Sequence, residues 1–217
     1  MSSFPRKKCG FTLLELLVVV AVIGVVAALL TPALGKAKRR ALATQCLNNL
    51  RQIGIATVMY TDDNVGRLPD SQHHLASWVG SLQPYAGGRV CYRCPVDGHR
   101  TRMYSYAIND LVTPNPYGAE TLDYSRLSSI PVPAETVFLA EMDDRFVGSD
   151  HYHFAGDPDD GPGYVPAAFA AQVAVTRHLG AANYLFTDGH VELLSWSAVT
   201  KKLTQPGSRF VHPGGIP

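Results

Sequence analysis

One apolar segment near the N-terminus constrains this chain more than any other feature. Residues 11–30 read FTLLELLVVVAVIGVVAALL and contain a single charged side chain, Glu15. At about 1.5 Å per residue, a helix of this length spans about 30 Å, the thickness of the hydrocarbon core of a bilayer. The sequence therefore predicts a membrane-spanning helix over residues 11–30, preceded by a polar leader at residues 1–10.

Three kinds of N-terminal segment compete for this pattern. A secretory signal peptide has an apolar run of about 7–15 residues that ends at a small-residue cleavage site. The run here is longer, and the sequence at its end, LLTP at residues 29–32, is a poor site for that cleavage. A lipoprotein signal needs a cysteine after the apolar run, whereas Cys9 precedes it. A plain membrane anchor fits the length but leaves Glu15 unexplained, unless its carboxylate reaches the interface, because an ionisable group inside a span usually has a functional partner.

The residues around the start of the apolar run, KKCGFTLLELLVV at 7–19, closely resemble the processing site of type IV pilins and type II secretion pseudopilins. In that family a prepilin peptidase cuts after a glycine and methylates the new N-terminal residue. The resemblance implies cleavage between Gly10 and Phe11 and N-methylation of Phe11. It also implies that Glu15 faces the N-terminal ammonium of a neighbouring subunit, and it matches Pro32 to a proline of the family.

The resemblance implies a structural subunit of a type II secretion pseudopilus or a type IV pilus. Its partners would be prepilin peptidase, other pilin-like subunits in a homo- or hetero-filament, and the bacterial inner membrane. A single pass would leave the N-terminus cytoplasmic and the head extracytoplasmic. Basic residues flank the span on both sides, so charge alone does not decide this orientation. The alternative is a membrane-anchored extracytoplasmic protein that binds a ligand or carbohydrate and uses a prepilin-type anchor.

Composition and motifs give no support to other classes of function. The formal net charge is +1 and no long basic run with interleaved aromatic residues occurs, so nucleic-acid binding is not expected. Ser, His and Asp are all present, but the sequence contains no G-x-S-x-G, no phosphate-binding loop and no H-E-x-x-H. We therefore expect no enzyme activity and assign no catalytic residue.

Residues 31–60 are predicted to continue the helix beyond the membrane. Apolar or small residues recur there at spacings of three and four, which is the pattern of an amphipathic helix: Leu42, Cys46, Leu50, Ile53, Thr57 and Tyr60. Pro32 removes one backbone hydrogen bond and is expected to kink or loosen the helix. The sequence DDNVG at 62–66 is a stop signal.

Residues 61–217 are predicted to form an exported, loop-rich head. TVFLA at 136–140 is typical of a buried strand, and residues 182–194 predict a β-hairpin around Asp188 and Gly189. The predicted fold is α+β and pilin-like, with the long helix packed on a small antiparallel sheet. Several head segments resemble pseudopilin-like proteins of environmental bacteria, whose His-x9-Asp-Gly motif corresponds to His178, Asp188 and Gly189. The motif's role is open, with a hairpin turn and a packing histidine as the structural interpretation.

The remaining candidates are cysteines and metal-binding residues. An exported head meets an oxidising compartment, which favours a disulfide, either Cys46–Cys94 or Cys91–Cys94. Cys91 and Cys94 also form a C-x-x-C near His99, but this is a weak zinc signal without a second pair. The acidic loop DPDDG holds a weak calcium candidate: Asp157, Asp159 and Asp160. His151 and His153 would lie on the same face of a strand, where the two imidazoles could bind a metal ion as a pair. No cofactor is predicted, with calcium as the one candidate.

Overall fold

The computed structural model describes residues 12–71, 77–87, 92–114, 116, 122–152 and 165–216. The chain divides into two compact units, Met1–Arg40 and Ala41–Pro217. Helix α1, Leu13–Asp63, begins in the first unit and ends in the second.

The described part of the first unit is helical from Leu13 onward and mainly apolar up to Leu34. From Thr12 to Ala41 every described residue is exposed, and α1 is long and apolar enough to cross a membrane. Pro32 lies inside the helix and does not end it. Beside it, the Thr31 hydroxyl donates a hydrogen bond of 2.8 Å to the carbonyl oxygen of Ala27. A contiguous apolar surface of this size requires a lipid or protein partner, since soluble monomers rarely expose one.

In the second unit, the remainder of α1 buries the predicted stripe. Cys46, Leu50, Ile53 and Thr57 are buried, while Leu42 and Tyr60 are partly buried. The helix ends at Asp63, within one residue of the predicted stop. The predicted amphipathic continuation is therefore confirmed.

A five-stranded sheet forms the centre of the second unit. Its strands are β1 (Tyr106–Asn109), β2 (Val137–Glu141), β3 (His151–Tyr152), β4 (Ala181–Phe186) and β5 (Val191–Ser195). They lie in the order β3-β1-β2-β4-β5. The predicted hairpin is β4–β5, which pairs antiparallel, as do β1–β2 and β2–β4. The α+β architecture is confirmed, but β3 pairs parallel with β1, so the sheet is mixed rather than purely antiparallel.

Both faces of the sheet are covered by apolar side chains. On one face, Leu185 and Phe138 pack with Leu50 and Ile53 of α1. The other face carries Tyr184 and packs against three short segments: α3 (Pro166–Gln172), α4 (Trp196–Thr204) and the C-terminal stretch around Phe210. A further short helix, α2 (Trp78–Leu82), joins the α1 side. Because both faces are covered, β1 and β2 are buried along their whole length, and each is apolar instead of alternating up to its last residue, Asn109 in β1 and Glu141 in β2.

Candidate functional site

The N-terminal end of α1 is held by a reciprocal pair of side chains. The Glu15 amide donates to the Thr12 hydroxyl oxygen at 3.2 Å. In return, the Thr12 amide and hydroxyl donate to Glu15 Oε2 at 2.8 and 2.7 Å. This is a capping box, in which the first and fourth residues satisfy each other's backbone or side-chain groups at a helix start. The capping role of Thr12 was missing from the sequence prediction, although the Thr-x-x-Glu spacing was the signal for it.

Several predicted residues lie outside the described part of the chain. These are the processing residues Gly10 and Phe11, the cysteine Cys91, the calcium candidates Asp157, Asp159 and Asp160, and His153. Their roles stay predictions.

The Asp-Gly pair of the His-x9-Asp-Gly motif forms the turn between β4 and β5, as predicted. Gly189 has a φ of 91°, which favours glycine. Asp188 Oδ1 accepts hydrogen bonds from the His190 amide at 3.1 Å and from His190 Nδ1 at 2.6 Å. The turn packs closely on α1, because a Cβ atom on Gly54 would lie 3.0 Å from the Gly189 carbonyl oxygen. Asp188 and Gly189 therefore have a structural explanation.

His178 belongs instead to a buried cluster with Cys46, Cys94 and Glu141. Cys46 lies on α1, Cys94 in the loop before β1, Glu141 at the end of β2, and His178 in the turn before β4. Their exposed fractions are 0%, 2%, 0% and 4%, respectively. One potential ligand atom of each residue lies within 4.8 Å of those of the other three.

The shortest contacts in this cluster run through the Glu141 carboxylate. Its Oε1 lies 2.5 Å from Cys46 Sγ and 2.8 Å from His178 Nε2. His178 Nε2 lies 3.6 Å from Cys94 Sγ. The structure thus places three sequence candidates together, Cys46, Cys94 and His178, and adds Glu141, which the sequence prediction missed. Both cysteines are free thiols, so the predicted disulfide is not formed in this structure.

Polar side chains surround the four residues. The Tyr106 hydroxyl lies 3.1 Å from Cys46 Sγ, and Asn183 Nδ2 donates to Glu141 Oε1 at 3.5 Å. Arg177 donates to the Met142 carbonyl oxygen at 2.6 Å, pairs with Asp144 and has Asp97 at 3.9 Å. Among the described residues, Glu141 Oε2 has no hydrogen-bond partner.

The environment shifts the protonation of these groups. The hydrogen bond with Cys46 lowers the pKa of Cys94 to about 6, against the effect of burial. Burial, together with hydrogen bonding to Cys94 and the charge of Glu141, raises the pKa of Cys46. Burial lowers the pKa of His178, but hydrogen bonds to Cys94 and Glu141 outweigh it and raise the pKa to about 9. These shifts favour a thiolate on Cys94, a neutral thiol on Cys46 and a protonated imidazole on His178.

The N-terminal part of the chain matches a known protein family. Residues 5–31 match the family described as the prokaryotic N-terminal methylation motif. A longer stretch is similar to the type II secretion system core protein G of Pseudomonas aeruginosa, with 34% identity over 98 residues. That alignment covers 42% of this chain and 68% of the relative. No solved structure matches the chain.

Proposed function

Because this chain belongs to the pilin-like family of type II secretion pseudopilins, we propose that prepilin peptidase cuts it between Gly10 and Phe11 and methylates Phe11. The support is the methylation motif, which spans residues 5–31 and so includes the basic leader residues, the glycine and the start of the apolar run. The chain is a pilin-like subunit, and its family is structural, so we assign it no catalytic role.

Residues 11–30 would lie in the inner membrane, with residues 1–10 facing the cytoplasm before cleavage. The single observation that carries this is the exposed apolar surface of α1, with one charge at its start. Lipid covers that surface before assembly, and neighbouring subunits cover it in a filament. The second unit, which has its own buried core, would be the exported part.

Glu15 would select the register in which subunits join. An unpaired carboxylate inside a bilayer costs about 2.5–3.5 kcal/mol on insertion scales. In the single chain, Thr12 supplies two donors but no positive charge. The ammonium of the methylated Phe11 of a neighbouring subunit would supply that charge, and a pair of opposite charges in lipid offsets much of the cost of each. A subunit in the wrong register would leave both charges unpaired.

The cleavage proposal is tested by intact-mass measurement of the chain recovered from cells with and without an active prepilin peptidase. With the peptidase, the chain should begin at N-methylated Phe11; without it, the leader should remain. An unmodified N-terminus in the presence of the peptidase, or a start elsewhere, contradicts the proposal.

The assembly proposal is tested by Glu15→Gln, with Glu192→Gln as the matched control, because Glu192 is exposed on β5. Glu15→Gln would leave the ammonium of the neighbouring subunit without its partner, and an unpaired charge that costs about 3 kcal/mol lowers the association constant of the two subunits more than a hundredfold. We therefore expect Glu15→Gln to insert in membranes at the normal level but to yield at least tenfold less filament. Normal filament yield from this variant would refute the role of Glu15.

A further inference from the structure

The buried cluster has the composition and spacing of a metal site. Zinc binds sulfur at about 2.3 Å and nitrogen or oxygen at about 2.0–2.2 Å, so the ligand atoms of a tetrahedral site lie about 3.3–3.8 Å apart. Cys94 Sγ and His178 Nε2, at 3.6 Å, already have this separation. Glu141 Oε1 lies closer to Cys46 and His178, so its separation from Cys46 Sγ would have to widen by about 1.1 Å and that from His178 Nε2 by about 0.6 Å.

Burial also indicates a cation. A carboxylate with an exposed fraction of 0% is costly unless it is paired, and the contact with His178 engages Oε1 and not Oε2. Glu141 Oε1 accepts from the neighbours, but Oε2 has no hydrogen-bond partner among the described residues. The two thiols belong to the apolar cluster on the α1 side of the sheet, but both sulfur atoms also lie within 4.8 Å of the carboxylate and the imidazole, which apolar packing alone does not explain.

We propose that Cys46, Cys94, Glu141 and His178 bind one structural zinc ion in the second unit of the chain. Two thiolates, one imidazole and one carboxylate complete a tetrahedron, so no position is left for a water or substrate, which is the mark of a structural rather than a catalytic zinc site. Thiolate and imidazole ligands favour zinc over calcium or magnesium, which prefer oxygen alone. All four ligands bind in their deprotonated forms, so binding releases whichever protons the thiols and the imidazole still carry.

The neighbouring residues suit this charge distribution. Zinc with two thiolates and one carboxylate carries a net charge of −1. The positively charged guanidinium of Arg177, the residue directly before His178, is buried near this charge. The Tyr106 hydroxyl, 3.1 Å from Cys46 Sγ, would donate to the thiolate. Asn183 already donates to the carboxylate. Such outer contacts orient ligands and tune the metal.

The site would connect four segments that are far apart in the sequence: α1, the loop before β1, the end of β2 and the turn before β4. It gives His178 a role distinct from that of Asp188 and Gly189, which form the hairpin turn. A disulfide between Cys46 and Cys94 is the competing outcome, since both cannot exist at once. The inference does not depend on filament assembly, because zinc content is measured on the isolated chain.

The test starts with the full chain, purified in detergent without a metal-affinity tag or chelator and dialysed against trace free zinc. We expect one zinc per chain by elemental mass spectrometry. X-ray absorption at the zinc edge should show two sulfur ligands at about 2.3 Å and two nitrogen or oxygen ligands at about 2.0 Å. Less than about 0.1 zinc per chain, or an intact Cys46–Cys94 disulfide in the chain as isolated, overturns the proposal.

Variants then test the ligand set. Glu141→Gln and His178→Gln should lower the zinc content at least tenfold. Two matched controls, His190→Gln in the exposed turn and Cys91→Ser in the same C-x-x-C as Cys94, should keep one zinc per chain. Loss of zinc from Cys91→Ser would overturn the assignment of these four ligands.

Because loss of a buried ligand can unfold the second unit, the unmodified chain provides an independent measurement. A strong chelator should release the zinc and make two further thiols reactive to an alkylating reagent, identified by peptide mass spectrometry as Cys46 and Cys94. Thiols whose reactivity is the same before and after chelation would contradict the site even if zinc is present.

Discussion

Asn109 connects three segments of the second unit through one buried side chain. It ends β1 and has an exposed fraction of 0%. Its Nδ2 donates to the carbonyl oxygens of Val137, at the start of β2, and Val211, in the C-terminal segment, at 3.0 and 2.7 Å. Its Oδ1 accepts from the Leu111 amide at 3.2 Å. The substitution Asn109→Asp keeps the shape and the acceptor but removes both donors.

The cost of this substitution follows from those contacts. Each buried carbonyl that loses its donor costs about 1–3 kcal/mol, so the two together cost about 2–6 kcal/mol. The introduced carboxylate adds a further cost, because it faces two carbonyl oxygens without water. A domain of this kind has a free energy of unfolding of about 5–15 kcal/mol, so the loss is a large fraction of the total.

The assay is urea unfolding of the full chain in detergent, followed by tryptophan fluorescence. Trp78 and Trp196 are the two tryptophans, and both lie in the second unit. With a slope of about 1–3 kcal/mol per molar urea, a loss of 2 kcal/mol or more lowers the midpoint by at least about 0.7 M. The matched control is Asn48→Asp, on an exposed position of α1, which should shift the midpoint by less than about 0.2 M. Equal small shifts for both variants would refute the reasoning. At low pH, where the introduced carboxyl regains a proton to donate, the difference between them should shrink.

Two further substitutions test the packing of the hairpin turn and the start of α1. Gly54→Val places a Cβ 2.9 Å from Leu185 Cδ1 and 3.0 Å from the Gly189 carbonyl oxygen, so we expect the free energy of unfolding, measured in urea, to fall by about 1–3 kcal/mol. The control Gly80→Val, whose Cβ has nothing within 4 Å, should change it little, and similar losses for both variants would contradict the close approach. Thr12→Val removes the side-chain cap of α1, which is worth about 1 kcal/mol. Hydrogen exchange in micelles should therefore show the protection of the Glu15 amide falling about fivefold, and unchanged protection would mean that the cap contributes nothing.

The N-terminal features could be predicted because they are local in sequence. A membrane-spanning helix depends on a run of apolar residues, and the processing motif is contiguous around Gly10 and Phe11. The amphipathic stripe of α1 and the β4–β5 hairpin also depend on spacing within one segment. For the same reason, the Thr12–Glu15 cap was predictable, since its two residues are three apart.

The strand β3 and its parallel pairing with β1 were not predictable in this way. Two residues, His151 and Tyr152, are too few to show any periodicity. The parallel contact joins segments separated by β2, so it depends on the path of the chain and not on the local pattern.

By itself, the sequence determined the apolar helix, its single carboxylate, the processing motif and the hairpin turn, because each depends on neighbours within a few residues. Only the tertiary structure decided which polar groups meet in the core. Glu141 ends a run of apolar strand residues and shows no pattern of its own, yet the sheet sets its carboxylate beside two cysteines and a histidine from three other segments. Such an encounter is specified by packing on both faces of the sheet, since no spacing along the chain encodes a distance between four separate segments.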